Sequence, residues 1–279
     1  MTTPGRLFVC STPIGNLGDI STRLVETLTS VDVVYAEDTR RTSNLLSHLG
    51  ISTRARSLFA GNEAARTAEL IADLESGLSV ALVSDAGTPT ISDPGAGAVR
   101  LARENGFEVT VIPGPSAVTM AVALSGFAGD RFVFEGFLPK KGAQRRARIE
   151  AAADESRPVV FFLTPHRLAT DLGELLSAIG PDRPIAITRE LTKLHEEVWV
   201  GSLGEAVDHW GQRSAKGEFT VVLGPREETG VPTDCAVGEA REMVTSGLSL
   251  SEAARQVSER TGISRRIIYQ ALLDGQELS

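Results

Sequence analysis

Four short apolar runs punctuate the first 115 residues, at positions 7–10, 33–36, 80–83 and 109–112. Between them apolar residues return at helical spacing, as in Leu24, Val25, Leu28 and Val31. Further helical patterns cover residues 39–49, 62–76 and 94–105, and each stops at a glycine (Gly50, Gly77 and Gly106) that suits a helix C-terminus. Continuous apolar strands that alternate with helices predict a parallel sheet covered on both faces.

Beyond a basic junction, "FLPKKGAQRR" at 137–146, the pattern is less regular. Residues 158–163, 184–188, 196–200 and 218–223 read as strands, and 166–179 and 203–210 as helices. Closely spaced strands with few helices predict a mixed sheet in a second α/β domain. Residues 224–234 form a polar Pro/Gly linker. After it, 235–246, 250–260 and 265–273 read as helices only. Thr261-Gly262-Ile263 would be the turn of a helix-turn-helix and Ser264 the cap of its second helix; a plain three-helix cap is the competing reading. The expected organisation is an N-terminal α/β domain (1–135), a second α/β domain (136–226) and a helical segment (234–279).

Composition narrows the function. The 279 residues are 42% hydrophobic and carry a formal net charge of −8. Bulk attraction to nucleic acid is therefore absent, and any such contact requires a local basic patch. The two cysteines, Cys10 and Cys235, are far apart, which predicts no disulfide framework and fits a reducing cytoplasm. The four histidines are scattered without ligand spacing, so no metal site is expected. No apolar run approaches the ~20 residues of a membrane helix, and the N-terminus lacks the pattern of a signal peptide.

The chemistry-bearing residues lie in the loops that follow the predicted strands. "STPIGNLGDIS" (11–21) resembles a dinucleotide fingerprint, with Glu37 and Asp38 at about the right distance for its acid. Pro13 replaces the first glycine, however, and offers a phosphate no N–H. An ordinary tight turn is the competing reading of these residues. "AEDTRRT", "SDAGTPTISDPG" (84–95) and "PGPSA" (113–117) follow the other strands. Several Gly/Pro loops on the carboxyl edge of one sheet point to a cleft that closes on a ligand through the backbone.

These loops, with "FEGFLPKK", "TPHR" and "RELTKLHEE", resemble the tetrapyrrole-methylase-like (class III) S-adenosylmethionine-dependent methyltransferases. The likeness spans residues 7 to about 197 in order. It is closer to a branch that methylates a cytidine ribose 2′-hydroxyl in 16S ribosomal RNA of the small subunit. The resemblance implies two α/β domains with a cofactor cleft between them, plus the helical C-terminal segment, and a homodimer. It places cofactor contacts on Pro13, Asp85, Gly87, Thr88, Ser116, Ala117, Leu163 and Ala186.

A ribose hydroxyl is a weak nucleophile that needs positioning and a nearby charge or proton acceptor. Glu37, Asp38, Arg40 and Arg41 form one candidate cluster, and Arg189, Glu190 and Lys193 another; Asp38, Arg40, Arg189, Glu190 and Lys193 are the catalytic candidates. Salt bridges lining a cleft are the alternative for each. "KKGAQRRAR" (140–148) holds five cations in nine positions. Lys140, Lys141, Arg145 and Arg146 are read as RNA phosphate contacts, against a solvated helix start. Other functions remain open from the residues: methylation of a tetrapyrrole or protein side chain, a nicotinamide-dependent oxidoreductase, or a ligand-sensing DNA-binding regulator. The last is disfavoured by seven acids against five arginines from Asp234 onward.

Overall fold

A computed structural model of the chain describes residues 5–127, 130–211, 213, 215–226, 233–261 and 265–274. Its described part divides into two compact units, one holding both sheets (1–153 and 157–224) and one holding 154–156 and 225–279.

The first sheet is wholly parallel, with strand order β3-β2-β4-β1-β5. The strands are β1 (Arg6–Cys10), β2 (Val33–Ala36), β3 (Ala55–Ser57), β4 (Val80–Val83) and β5 (Glu108–Ile112). Helices α1 (Thr22–Ser30), α2 (Thr39–His48), α3 (Glu63–Glu75), α4 (Ala96–Glu104) and α5 (Ala117–Ser125) follow or separate them. Side chains alternate along each strand, so each central strand feeds two cores. Val33, Tyr35, Val80 and Leu82 share a cluster with Leu70 and Leu74 of α3 and Ala98 and Ala102 of α4. Val34, Ala36, Ala81 and Val83 share the other with Leu24 and Leu28 of α1 and Leu46 of α2. This double burial is why the strands read as unbroken apolar runs.

β1 and β4 are neighbours, yet α1 and α4, which follow them, cover opposite faces. That is a topological switch point, and a crevice opens outside the carboxyl ends of the two strands.

The second sheet is mixed, in order β6-β7-β10-β8-β9: β6 and β7 run parallel and the remaining pairs antiparallel. Its strands are β6 (Val133–Phe137), β7 (Val159–Leu163), β8 (Pro184–Arg189), β9 (Glu197–Ser202) and β10 (Phe219–Leu223). One face packs with α6 (Ala143–Asp154), α7 (Leu168–Ile179) and α8 (Leu203–Gly211) through Val159, Phe161, Ile185, Ile187 and Val221. The other presents Val160, Ala186 and Val222 to Val118, Ala121 and Val122 of α5. Helix α5 thus joins the two sheets into one body, and the crevice ends up between them.

The second unit holds α9 (Thr233–Thr245), α10 (Leu250–Thr261) and α11 (Arg265–Asp274) around a core that includes Ala240, Ala254, Val257 and Ile268. Thr261 closes α10 instead of opening a turn. The rest of the expected turn, Gly262 and Ile263 with the cap Ser264, lies outside the described residues, as does 227–232 of the linker. No helix among the described residues is long and apolar enough to cross a membrane.

Candidate active site

Two adjoining cavities, of about 340 and 330 Å³, occupy the crevice. Ile14, Arg41, Asp85, Ala86 and Glu218 line both, so they form the wall between two chambers.

The loops that build this wall are fastened to each other. Thr12 N–H donates to the Gly87 carbonyl at 2.9 Å, and Gly87 N–H returns a bond to Thr12 O at 3.1 Å. The Ser11 and Thr88 hydroxyls lie 2.9 Å apart, and Thr12 Oγ1 donates to Ser84 O at 3.2 Å. Gly87 has φ +76°, a conformation that side chains disfavour. In the same loop Thr90 (φ 75°) and Ser92 (φ 64°) also adopt left-handed backbone, as do Glu190 (φ 51°) and Thr192 (φ 67°) across the cleft. Strain of this kind in β-branched residues persists only where the surroundings impose it, and such places cluster at ligand sites.

The first chamber is apolar in body and acidic in its polar groups. Ile14, Val118, Phe137 and Phe162 give it apolar walls, and Glu37, Asp85 and Asp93 supply carboxylates. Burial raises the Asp93 carboxyl to about 6, with the Glu37 charge adding to it. Burial, then Asp85, likewise pushes Glu37 above its ordinary range. With Glu218 of the shared wall, four acids line this space against one cation, Arg41, and a positive ligand would relieve their repulsion.

The second chamber is more polar. Thr12, Pro13, Asn44 and His48 line it with Lys193. The Lys193 stem crosses Gly15 so closely that a Cβ there would run into Lys193 Cγ, so a side chain at this position would displace the lysine. Lys193 Nζ donates to Glu190 Oε1 at 2.8 Å and to Glu218 Oε2 at 3.0 Å. Burial works against the ammonium, but Glu190 and Glu218 outweigh it and raise the Lys193 pKa. Lys193 therefore stays charged and cannot serve as a base at neutral pH. Glu190 accepts from Lys193 and from Glu218 N–H, which lowers its pKa despite partial burial.

Of the residues singled out from the sequence, Asp85, Gly87, Thr88, Ser116, Ala117 and Leu163 line the first chamber. Pro13 and Lys193 line the second, and Glu190 holds Lys193. Other expectations need correction. Ala186 is fully buried: it stands in the middle of β8, where α5 covers the sheet, and does not reach the strand end that borders the chamber. Asp38 caps α2 by accepting from Arg40 N–H, and it pairs with the Arg40 guanidinium at 2.8 Å. That pairing holds the Asp38 carboxyl down at about 2, and the Arg40 side chain is 88% exposed. Neither lines a chamber; Glu37 and Arg41, their neighbours, do. Arg189 is occupied by Lys216 O at 2.7 Å and Glu197 at 3.2 Å, outside both chambers.

Arg145 is also not a surface cation. It is 3% exposed, bonded to Asp171 and Glu174 at 2.7 Å each and to Pro139 O at 3.1 Å. Arg148 is tied to Glu135 at 2.7 Å. Lys140, Lys141 and Arg146 remain exposed around a depression of about 540 Å³. Asp93, Phe137, Phe162 and Glu218 were not singled out as site residues. Asp93 and Phe137 stand inside quoted motifs, and Glu218 opens "GEFTVVLGP" after Gly217, a stretch that extends the same resemblance; Phe162 reaches the cleft only through the folding of the second sheet.

A crevice at a switch point, closed by a second sheet and lined by fastened Gly/Pro loops, defines a class of enzyme. A family model described as Tetrapyrrole (Corrin/Porphyrin) Methylases matches residues 6–207. The chain belongs to this family of methyltransferases. Among curated proteins it is 43% identical to the Ribosomal RNA small subunit methyltransferase I of Synechocystis sp., over 97% of this chain and 98% of that protein. It is 47% identical to the protein of the same name from Thermotoga maritima, over 80% of this chain and 100% of that protein. Among solved structures, its fold matches a uroporphyrin-III C-methyltransferase from Thermus thermophilus, complexed with S-adenosylhomocysteine. That match has a TM-score of 0.55 at 16% identity, over 78% of this chain and 97% of that one.

Proposed function

We propose that the chain transfers a methyl group from S-adenosylmethionine to the 2′-hydroxyl of a cytidine in 16S ribosomal RNA of the small subunit, as a cytoplasmic homodimer and without a metal. The observation that carries this reading is the pair of chambers behind one wall, acidic on one side and holding a fixed ammonium on the other. The first chamber fits the cofactor. Its apolar walls suit an adenine ring, and Glu37, Asp85 and Asp93 suit a ligand with cationic sulfonium and ammonium groups.

When bound, S-adenosylmethionine supplies an electrophilic methyl on its sulfonium. The chain's own part is to hold two ligands in line and to govern charge at the acceptor. Asp85 stands at the wall, where its Oδ1 accepts from Asp38 N–H at 2.9 Å and Oδ2 lies 3.6 Å from Arg41 Nε. Lys193 spends two of its three N–H donors on Glu190 and Glu218 and can turn the third to the acceptor oxygen, orienting it for in-line attack; as the oxygen–methyl bond forms and the sulfur–methyl bond breaks, the hydroxyl proton passes to solvent. Glu190 positions Lys193 from outside the chamber, and Gly15, in the chamber wall, leaves room for its stem. The names of the relatives and the exposed Lys140, Lys141 and Arg146 support RNA as the methyl acceptor.

Methyl-tritiated cofactor tests the reading on small ribosomal subunits that lack the modification. The expected result is label in the RNA, recovered after nuclease digestion as 2′-O-methylcytidine. Label on a base, or none in RNA, would exclude it.

A further inference from the structure

A third concavity, of about 600 Å³, lies outside the chambers and is lined by Thr39, Arg54, Arg56, Ser57, Arg66 and Glu69. Three arginines from the edge strand β3, the residue before it and helix α3 meet the hydroxyls of Thr39 and Ser57 there. In an acidic chain such a concentration of donors is out of proportion to its surroundings. Arg56 is the fixed member, bonded to Asp73 at 2.6 Å and to Tyr35 at 3.1 Å. Among the described residues Arg66 pairs with Glu69 alone, one turn on, in a half-exposed ion pair at 2.5 Å. Pairs of that kind are worth little and exchange easily for another anion. Arg54 is exposed and makes no ion pair among the described residues.

Helix α2 links this groove to the active site. Thr39 lines the groove, and Arg41, two positions later, lines both chambers. Two positions on a helix turn the side chain by about 200°, so the two sites flank opposite sides of one helical turn. Arg40 stands exposed between them.

We propose that this groove holds the phosphodiester backbone of the RNA whose ribose enters the second chamber, so that the strand passes over the first turn of α2. Phosphate oxygens fit the guanidinium forks of Arg54 and Arg66 and the two hydroxyls. The groove therefore positions the strand and carries no sequence preference. The inference rests on RNA being the substrate, and the test separates the two claims.

Binding of a fluorescent single-stranded oligoribonucleotide is titrated by anisotropy across salt concentration, for wild type and for the double variant Arg54→Gln/Arg66→Gln. Each phosphate deprived of its arginine should lower the salt slope by ~0.7. The double variant should therefore bind more weakly with a slope flatter by ~1.4, and Arg54→Glu should weaken binding further. Affinity for S-adenosylmethionine and the melting temperature should match wild type. An unchanged RNA affinity and slope would overturn the groove, as would a change seen with duplex DNA alone. Wild-type protein that binds RNA through the groove but methylates none would remove the substrate reading and leave the groove standing.

Discussion

The two chambers share a wall of five residues and differ in almost everything else. The first is half-enclosed by Phe137 and Phe162 and crowded with Glu37, Asp85 and Asp93. The second has a single lysine gripped by two acids and a rim that includes His48 and Asn44. In the proposed function the first takes a small ligand with an apolar body and positive charge, and the second takes the acceptor hydroxyl. The difference teaches that the acid cluster is electrostatically incomplete by itself, whereas the lysine cluster is already satisfied. Variants on each side should therefore separate cofactor affinity from turnover.

The largest effect is expected from Lys193→Met, which keeps the stem over Gly15 and removes the charge. Turnover at saturating substrates should fall on the order of a hundredfold to a thousandfold, the range for losing one preorganised charge donor. Single-turnover methylation would measure it. A fall of less than a few-fold would strip Lys193 of this role.

Gly87→Val comes next. It forces a β-branched residue to φ +76° and brings a Cβ 3.4 Å from Ile14 in the shared wall. Strain of about 1–3 kcal/mol should weaken cofactor binding by roughly ten- to a hundredfold, read by calorimetry. If affinity is unaffected, the loop does not define the first chamber.

A smaller effect follows from pH. Asp93 titrates at about 6, above its ordinary value, because burial and the neighbouring Glu37 disfavour its charge. In the free protein this raised acid costs stability as pH rises from the unfolded value through 6, and the cost is relieved as pH falls again. A cationic ligand needs the charged form, so its affinity should move the other way. It should drop by up to about tenfold between pH 7 and pH 5, and Asp93→Asn should flatten the profile. A flat profile in wild type would show that Asp93 does not face the cation.

The smallest change belongs to the outer patch. Replacing Lys140, Lys141 and Arg146 together by glutamine should flatten the salt dependence of RNA binding by ~2 and leave cofactor affinity alone. An unchanged slope would make the patch a solvated helix start.

Much of this was legible before the fold was known. The first parallel sheet is written in 7–10, 33–36, 80–83 and 109–112 because double burial leaves no polar face to confuse the pattern. β3, "ARS", was not legible: three residues at a sheet edge carry no period. β6, "VFEGF", was not read as a strand: only Phe137 falls in the quoted junction, and a register shift between Phe134 and Gly136 breaks the alternation of the rest. α5 is apolar nearly all round, so its sequence shows no helical face. Within the site, loop motifs disclosed backbone-determined positions such as Gly87, Ser116 and Ala117. They could not tell Glu37 from Asp38, or Arg41 from Arg40, since only the first turn of α2 decides which side chain meets the cavity. Arg145 misled for a related reason: its partners Asp171 and Glu174 lie 26 and 29 residues away.

The separation of the two chambers is tested most directly by the affinity of Lys193→Met for S-adenosylmethionine, measured beside Asp93→Asn by calorimetry at neutral pH. Lys193→Met should bind within about twofold of wild type, while Asp93→Asn should be weaker by roughly tenfold or more, as expected for losing a charge-assisted contact. Equal losses in both variants would contradict the division of labour.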